Sequence, residues 1–373
     1  MSAKLSRPAP RAASTNPGRR PRRALRLLFG TLLLVAGLGA GHAALWHWMA
    51  GRLEDGFTAW AQLRRAQGWQ LEHGPPARGG WPFAATLTLP QFRLEGGHAT
   101  LPGGMTWQAE TLVLRLRPPR LDRLQLDLAG QHRLRLGTAE WPVSAEQLHG
   151  TLPLEQDVLP SELRLEGEGL RFGSGAETLS LRTLQLALAT RISAIEGEPA
   201  VTLRGAADDL TLPDAAGPAL ATLGRTIGSV MVEAALSGPV PPGRTPAARA
   251  AAWRESGGAL DLRSLALRWG PVAATTTATL TLDEALQPMG AATLRLSGGA
   301  EALDAAAAAG LMPPRTAATA RGFVQLLSRT PPEGGPPELE VPLTLENRTL
   351  SLARIAMARL PSWHWPTAPA RLD

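Results

Sequence analysis

A chain of 373 residues with 44% hydrophobic and 19% charged residues is too apolar for a disordered polymer and too charged for a polytopic membrane protein. It contains no cysteine, which excludes disulfides, thiolate metal sites and a cysteine nucleophile together. The formal charge of +6 is concentrated at one end: eight of the 38 basic residues precede Leu27 with no acid among them, leaving 30 against 32 acids.

Residues 1–26 carry Lys4 and seven arginines among prolines and alanines and read as a disordered basic tail. A nucleic-acid surface needs its basic charge on a fold, so this placement argues against nucleic acid as a partner. Residues 27–50, LLFGTLLLVAGLGAGHAALWHWMA, contain no Asp, Glu, Lys or Arg. As a helix they extend about 36 Å, enough to cross a hydrocarbon core of ~30 Å. Trp46 and Trp48 mark an outer, interfacial end, and the basic flank stays on the cytoplasmic side. The reading is a transmembrane anchor. A signal peptide cleaved near Gly41-His42-Ala43 is the alternative, disfavoured by the length of the apolar run. In residues 51–68, Leu53, Phe57, Trp60 and Leu63 recur at helical spacing, giving an amphipathic helix that Gly68 ends. Its apolar face packs on the first strands or, alternatively, gathers lipid at the interface.

From Gly79 the period becomes two, and residues 69–360 read as a β-rich domain. Phe83, Ala85, Leu87 and Leu89 share one face, with Ala84, Thr86 and Thr88 on the other. Leu112, Leu114 and Leu116 repeat the pattern, as do Leu124, Leu126 and Leu128, then Leu184, Leu186 and Leu188. This is the pattern of an antiparallel sheet with one covered side. Gly167 and Gly169 divide LRLEGEGLRF into two halves of a hairpin. Residues 215–235 read as helical, so that a helical insert occupies about 214–257, including the linker PVPPGRTP and a short helix over 247–255. Further on, Leu280 and Leu282 are expected to pair with Leu294 and Leu296 across a turn at Pro288–Gly290. Residues 301–309 and 314–328 read as two helices, the second started by Pro313-Pro314. LEVPLTLENRTLSLARI closes as a hairpin at Asn347, where Arg348 replaces the easier glycine and predicts a turn longer than two residues. Residues 361–373 form a C-terminal tail. The fold class is α+β, mainly β: an N-terminal transmembrane helix, then a large curved antiparallel sheet with a few packed helices.

No catalytic motif competes with this pattern. The seven histidines include no pair at metal-ligand spacing outside the membrane segment, and no HExxH, nucleophile elbow, phosphate loop or dinucleotide fingerprint occurs. Glu166 with Glu168, and Asp208 with Asp209, are carboxylate pairs near turns, where solvated charge is the ordinary explanation. The expectation is a protein that is not an enzyme and holds no cofactor or metal. Among eleven tryptophans, Trp253 and Trp269 read as plugs between sheet and helices.

Three stretches taken together carry a resemblance: GGWPFAATLTLP, the segment from Ala251 to Gly298, and the run from Glu301 through LEVPLTLENRTLSL. With the anchor, they resemble the uncharacterised bacterial domain-of-unknown-function family 2125, over about residues 25–360. Trp253, Gly257-Gly258 and Trp269-Gly270-Pro271 are the most specific residues of the match. The step from Thr279 to Leu296 also resembles strands of AsmA-like envelope proteins, whose β-groove folds are associated with lipid movement between membranes. The resemblance implies a single-pass protein of the bacterial inner membrane, with a cytoplasmic N-terminus and a periplasmic main domain. The family offers no functional residue to carry over.

A leucine face must be covered by helices or by curvature of the sheet. A groove left by curvature suits acyl chains. The expected function is a membrane-anchored periplasmic protein that binds or transfers lipid. The groove would be lined by Leu87, Leu89, Leu112, Leu114, Leu126, Leu186, Leu280 and Leu294. Its partner is membrane lipid. The alternative is a non-enzymatic cell-envelope scaffold or assembly factor with a closed core and envelope protein partners. A hydrolase acting on envelope polymers is the least favoured reading.

Overall fold

The computed structural model describes residues 20–97, 104–128, 130–154, 161–191, 193–214, 223–239, 245–308, 310, 313–330, 336–352 and 355–365. The basic tail before Arg20, most of the PVPPGRTP linker and residues 366–373 lie outside the described residues, as do 215–222 of the expected helical insert.

Anchor and amphipathic helix form one element. Helix α1, Arg20–Ala66, is 47 residues long and unbroken. From Leu25 to Leu38 its apolar side chains are exposed, and it is long and apolar enough to cross a membrane. At Met49 the environment changes: Met49, Ala50, Leu53, Phe57 and Ala61 are buried against the sheet. Gly68, at φ +85°, turns the chain out of the helix.

Strands β1 (Gln70–Glu72) and β2 (Ala77–Gly79) pair with β3 (Ala85–Gly96), and β3 pairs with β4 (Met105–Arg117). Strand β5 (Arg120–Asp127) takes one half of β4 and β6 (Gly130–Leu136) the other. Strands β7 (Ala139–Ala145) and β8 (Gln147–Pro153) then pair with β6 and β5, and both meet β9 (Glu162–Phe172). From β9 onward each strand pairs with the next: β10 (Leu179–Thr190), β11 (Pro199–Thr211), β12 (Thr226–Ser237), β13 (Leu260–Trp269), β14 (Val272–Leu282), β15 (Pro288–Ser297), β16 (Glu338–Glu346), β17 (Thr349–Leu352) and β18 (Ile355–Arg359). Every pairing is antiparallel, so one meandering sheet is built almost wholly from neighbours in the chain. Helices α2 (Pro246–Glu255), α3 (Gly299–Ala308) and α4 (Pro314–Leu327) are inserted between strands.

Four local expectations are corrected. Residues Thr226–Ser237 are strand β12, not helix, so the helical part of the 214–257 insert reduces to α2 among the described residues. The alanines at 234 and 235 favour helix, but pairing on both sides, with β11 and β13, overrides that preference. Residues around Gly167 and Gly169 form a single strand rather than a hairpin. Gly169, at φ +60°, absorbs the break between β7 and β8, where Glu146 N donates to Glu168 O at 3.1 Å. The β14–β15 turn lies at Asp283–Gln287, where Asp283 accepts from Gln287 N at 2.8 Å, so Leu280 faces Gly290 and Leu294 faces Thr276. The β16–β17 turn is two residues long, with Asn347 at φ +49° and Arg348 at φ +63°, the backbone of a type I′ hairpin.

Helix α1 runs along β3. Trp46 bonds Ala84 O at its near end, Glu54 pairs with Arg78 midway, and Arg65 donates to Leu71 O at the far end. Between these ties Leu53, Phe57 and Ala61 pack on Leu87, Leu89, Phe92 and Leu94. A second cluster, Ala145, Leu148, Leu170 and Leu181, closes one end of the face around β8–β10. Trp253 plugs α2 onto the sheet: its indole donates to Ser237 O at 2.8 Å. Trp269 donates to Gly224 O at 2.7 Å.

Candidate functional site

Register turns the leucine alternation into a continuous row. Leu87 faces Leu114, Leu114 faces Leu126, and Leu126 faces Gly150. The row continues through Leu165, Leu186, Gly205, Val232 and Leu265 to Thr276, Leu294 and Val341. Leu89 and Leu112 face each other one row away, and Leu280 faces Leu260 on the same side of β13–β14. All eight candidate leucines therefore share one face of one sheet.

That face is covered unevenly. Leu87, Leu89, Leu112 and Leu114 are at most 5% exposed, because α1 lies over them. They are core while the helix is seated. Leu126 packs at the margin of the same cluster. Leu186, Leu280 and Leu294 are half-buried. Helix α1 packs on β1, β3 and β4, and α2 and α3 touch β14, while α2 reaches the end of β12 through Trp253; the main helix contacts leave the middle of β10–β13 aside. In the middle of that stretch Leu265 is 39% exposed. Side chains here are sheltered mainly by one another. Gly205 shows how closely: a Cβ added to it would lie 2.9 Å from Val232 Cγ1 and 3.0 Å from Leu186 Cδ2.

The opposite face is polar and ion-paired, as with Arg204–Glu233 at 3.2 Å and Arg295–Glu340 at 3.1 Å. Hydrogen bonding from Arg204, more than its charge, holds the Glu233 carboxyl below the usual range, and Arg263 adds to it. Near the β4–β5 turn the polar face hollows into a cavity of about 390 Å³. Arg117, Arg120, Arg123 and Arg164 line it above Gln125 and Thr151, with Glu166 at one side. Arg164 and Arg123 both hold Glu162, at 2.6 Å and 3.3 Å, and the hydrogen bond from Arg164 is the main cause of its lowered carboxyl pKa. Sequence reasoning missed this cluster, because its arginines come from three strands. The signal available was RPPR at residues 117–120, two cations on either side of a tight turn.

The Asp208–Asp209 pair has local partners: Asp208 accepts from Thr183 at 2.8 Å and Asp209 pairs with Arg182 at 2.6 Å. No group of three or more metal-capable side chains occurs among the described residues. His132 is buried, its Nε2 against Leu128 O and its ring beside Trp107.

No curated protein matches the chain. A family model does, that of uncharacterised proteins conserved in bacteria, DUF2125, and it spans residues 46–361. The match begins at Trp46, where the exposed part of α1 gives way to the sheet, and ends just past β18. It thus takes in the whole leucine row and the arginine cavity, and the chain belongs to this bacterial family.

Proposed function

We propose that this is a single-pass protein of the bacterial inner membrane, its sheet on the periplasmic side, that holds lipid acyl chains on its leucine face. The observation that carries this reading is the uncovered stretch of that face, with Leu265 39% exposed between half-buried Val232 and Thr276. A row that is apolar apart from Thr276 needs little beyond apolar contact, and acyl chains supply that. The helix that enters the sheet core is the one long and apolar enough to span a membrane, so lipid is at hand. The likeness of Thr279–Leu296 to AsmA-like strands belongs to this proposal.

The test is a photo-crosslinking side chain placed at Leu265 in the full chain in cells. Met231, 53% exposed on the adjacent strand but on the polar face, is the control. Phospholipid adducts at position 265 and none at 231 are expected. Protein adducts at 265 in place of lipid would favour an envelope scaffold whose partner closes the face.

A further inference from the structure

The cavity on the polar face points to a second ligand. Arg117 and Arg120 face each other across the β4–β5 turn, a like-charge pair that is destabilising by itself. Both are exposed, and neither has an ion-pair partner among the described residues. Arg123 and Arg164 converge on the same space and share Glu162. Among the described residues, these four guanidiniums meet two carboxylates, Glu162, which Arg123 and Arg164 hold, and Glu166 on the cavity wall. Arginine offers donors and no acceptor, and its fork matches the oxygens of a phosphate. At about 390 Å³ the space suits a head group rather than a whole lipid.

Its position says where that phosphate comes from. Leu121, next to Arg120, packs with Met49, Ala50 and Ala85, where α1 stops being exposed. Leu116, next to Arg117, is paired with Ala85. Beside them Trp81 meets Trp46 edge-on with ring centroids 5.9 Å apart, while Trp81 is 52% and Phe83 78% exposed. Exposed aromatics at the end of an apolar helix mark the head-group layer. We propose that this cavity binds the phosphate of an anionic phospholipid head group. Because it lies on the face opposite the leucine row, it stands or falls apart from the acyl-chain reading and shares only the anchor with it.

The experiment is native mass spectrometry of the full chain released from nanodiscs of equal phosphatidylglycerol and phosphatidylcholine. The expected result is several-fold more bound phosphatidylglycerol than phosphatidylcholine. The double variant Arg117→Gln, Arg120→Gln should lower the ratio to one, and Arg295→Gln, elsewhere on the polar face, should leave it unchanged. Glu166→Gln should raise the ratio, a gain that misfolding does not produce. Equal binding in the wild type, or a preference that survives the double variant, overturns the proposal. Loss of the preference on adding glycerol phosphate overturns the lipid source and assigns the site to a soluble phosphate.

Discussion

The Trp46 indole donates a hydrogen bond to the Ala84 carbonyl at 2.8 Å, and this contact fixes the exposed part of α1 to the first residue before β3. Trp46→Phe keeps a ring and removes the donor. It should cost about 0.5–1.5 kcal/mol, the range for one net hydrogen bond, read from denaturant unfolding of the reconstituted chain.

The eight leucines should divide by what covers them. Leu89→Ala, under α1 at 0% exposure, should cost about 2–5 kcal/mol. Leu89→Asp should prevent folding, because an unpaired carboxylate would be buried. Leu186→Asp with Leu294→Asp should leave a folded protein, its unfolding midpoint only modestly lowered, that no longer captures lipid. Unfolding of that pair would show its positions to be core as well.

Gly258 lies flat against Trp253: a Cβ there would sit 2.2 Å from the indole ring. Gly258→Ala must displace the ring and strain its bond to Ser237. A loss of about 1–3 kcal/mol is expected, the range for overpacking, visible as a lowered melting temperature.

Arg348 occupies a left-handed conformation at φ +63° that only glycine adopts without strain. Arg348→Gly should stabilise the β16–β17 hairpin by up to ~1 kcal/mol, since relief of strain exceeds the added entropy of the unfolded chain.

Acid should weaken the polar face in a defined direction. The Glu162 and Glu233 carboxyls are held below the usual range by arginine hydrogen bonds. Groups with lowered folded values stabilise fully above the unfolded value of ~4.3 and lose that contribution as pH falls through the folded value. Stability against urea should be insensitive to these pairs at neutral pH and decline below about pH 4. Both sites are open to solvent, so the decline should be shallow and further reduced by salt.

Orientation has a direct check because the chain contains no cysteine. Ser264→Cys, on the sheet, should react with a membrane-impermeant maleimide added outside the inner membrane, and Ser14→Cys, in the basic tail, should not. The reverse pattern would invert the topology.

Period-two alternation revealed the leucine face because each strand keeps its apolar side chains on one side whatever its neighbour is. What alternation does not encode is which strand pairs with which, or in what register. Val230, Val232 and the alanines after them became a strand only because β11 and β13 flank them. Leu294 lies opposite Thr276 because the turn closes at Asp283–Gln287, several residues before the Pro288–Gly290 step that looks more like a turn. The uneven cover of the row is likewise invisible in sequence: Leu89 and Leu186 sit in similar local patterns, and only the path of α1 separates them. The arginine cavity joins residues from 117 to 166, a separation that no local motif spans.

The unbroken path of α1 limits how far the protein can reach. A domain on a flexible tether samples a wide volume above its membrane. Here the helix runs directly alongside β3, and β3 has 12 residues, about 40 Å of height at strand rise. In the anchored arrangement proposed above, the part of the sheet beside α1 would rise no more than about that height from the bilayer, a low wall rather than a bridge. If the sheet holds lipid as proposed, that cargo would stay close to the membrane it came from, and hand-over to anything more distant would require a second component to come down to it.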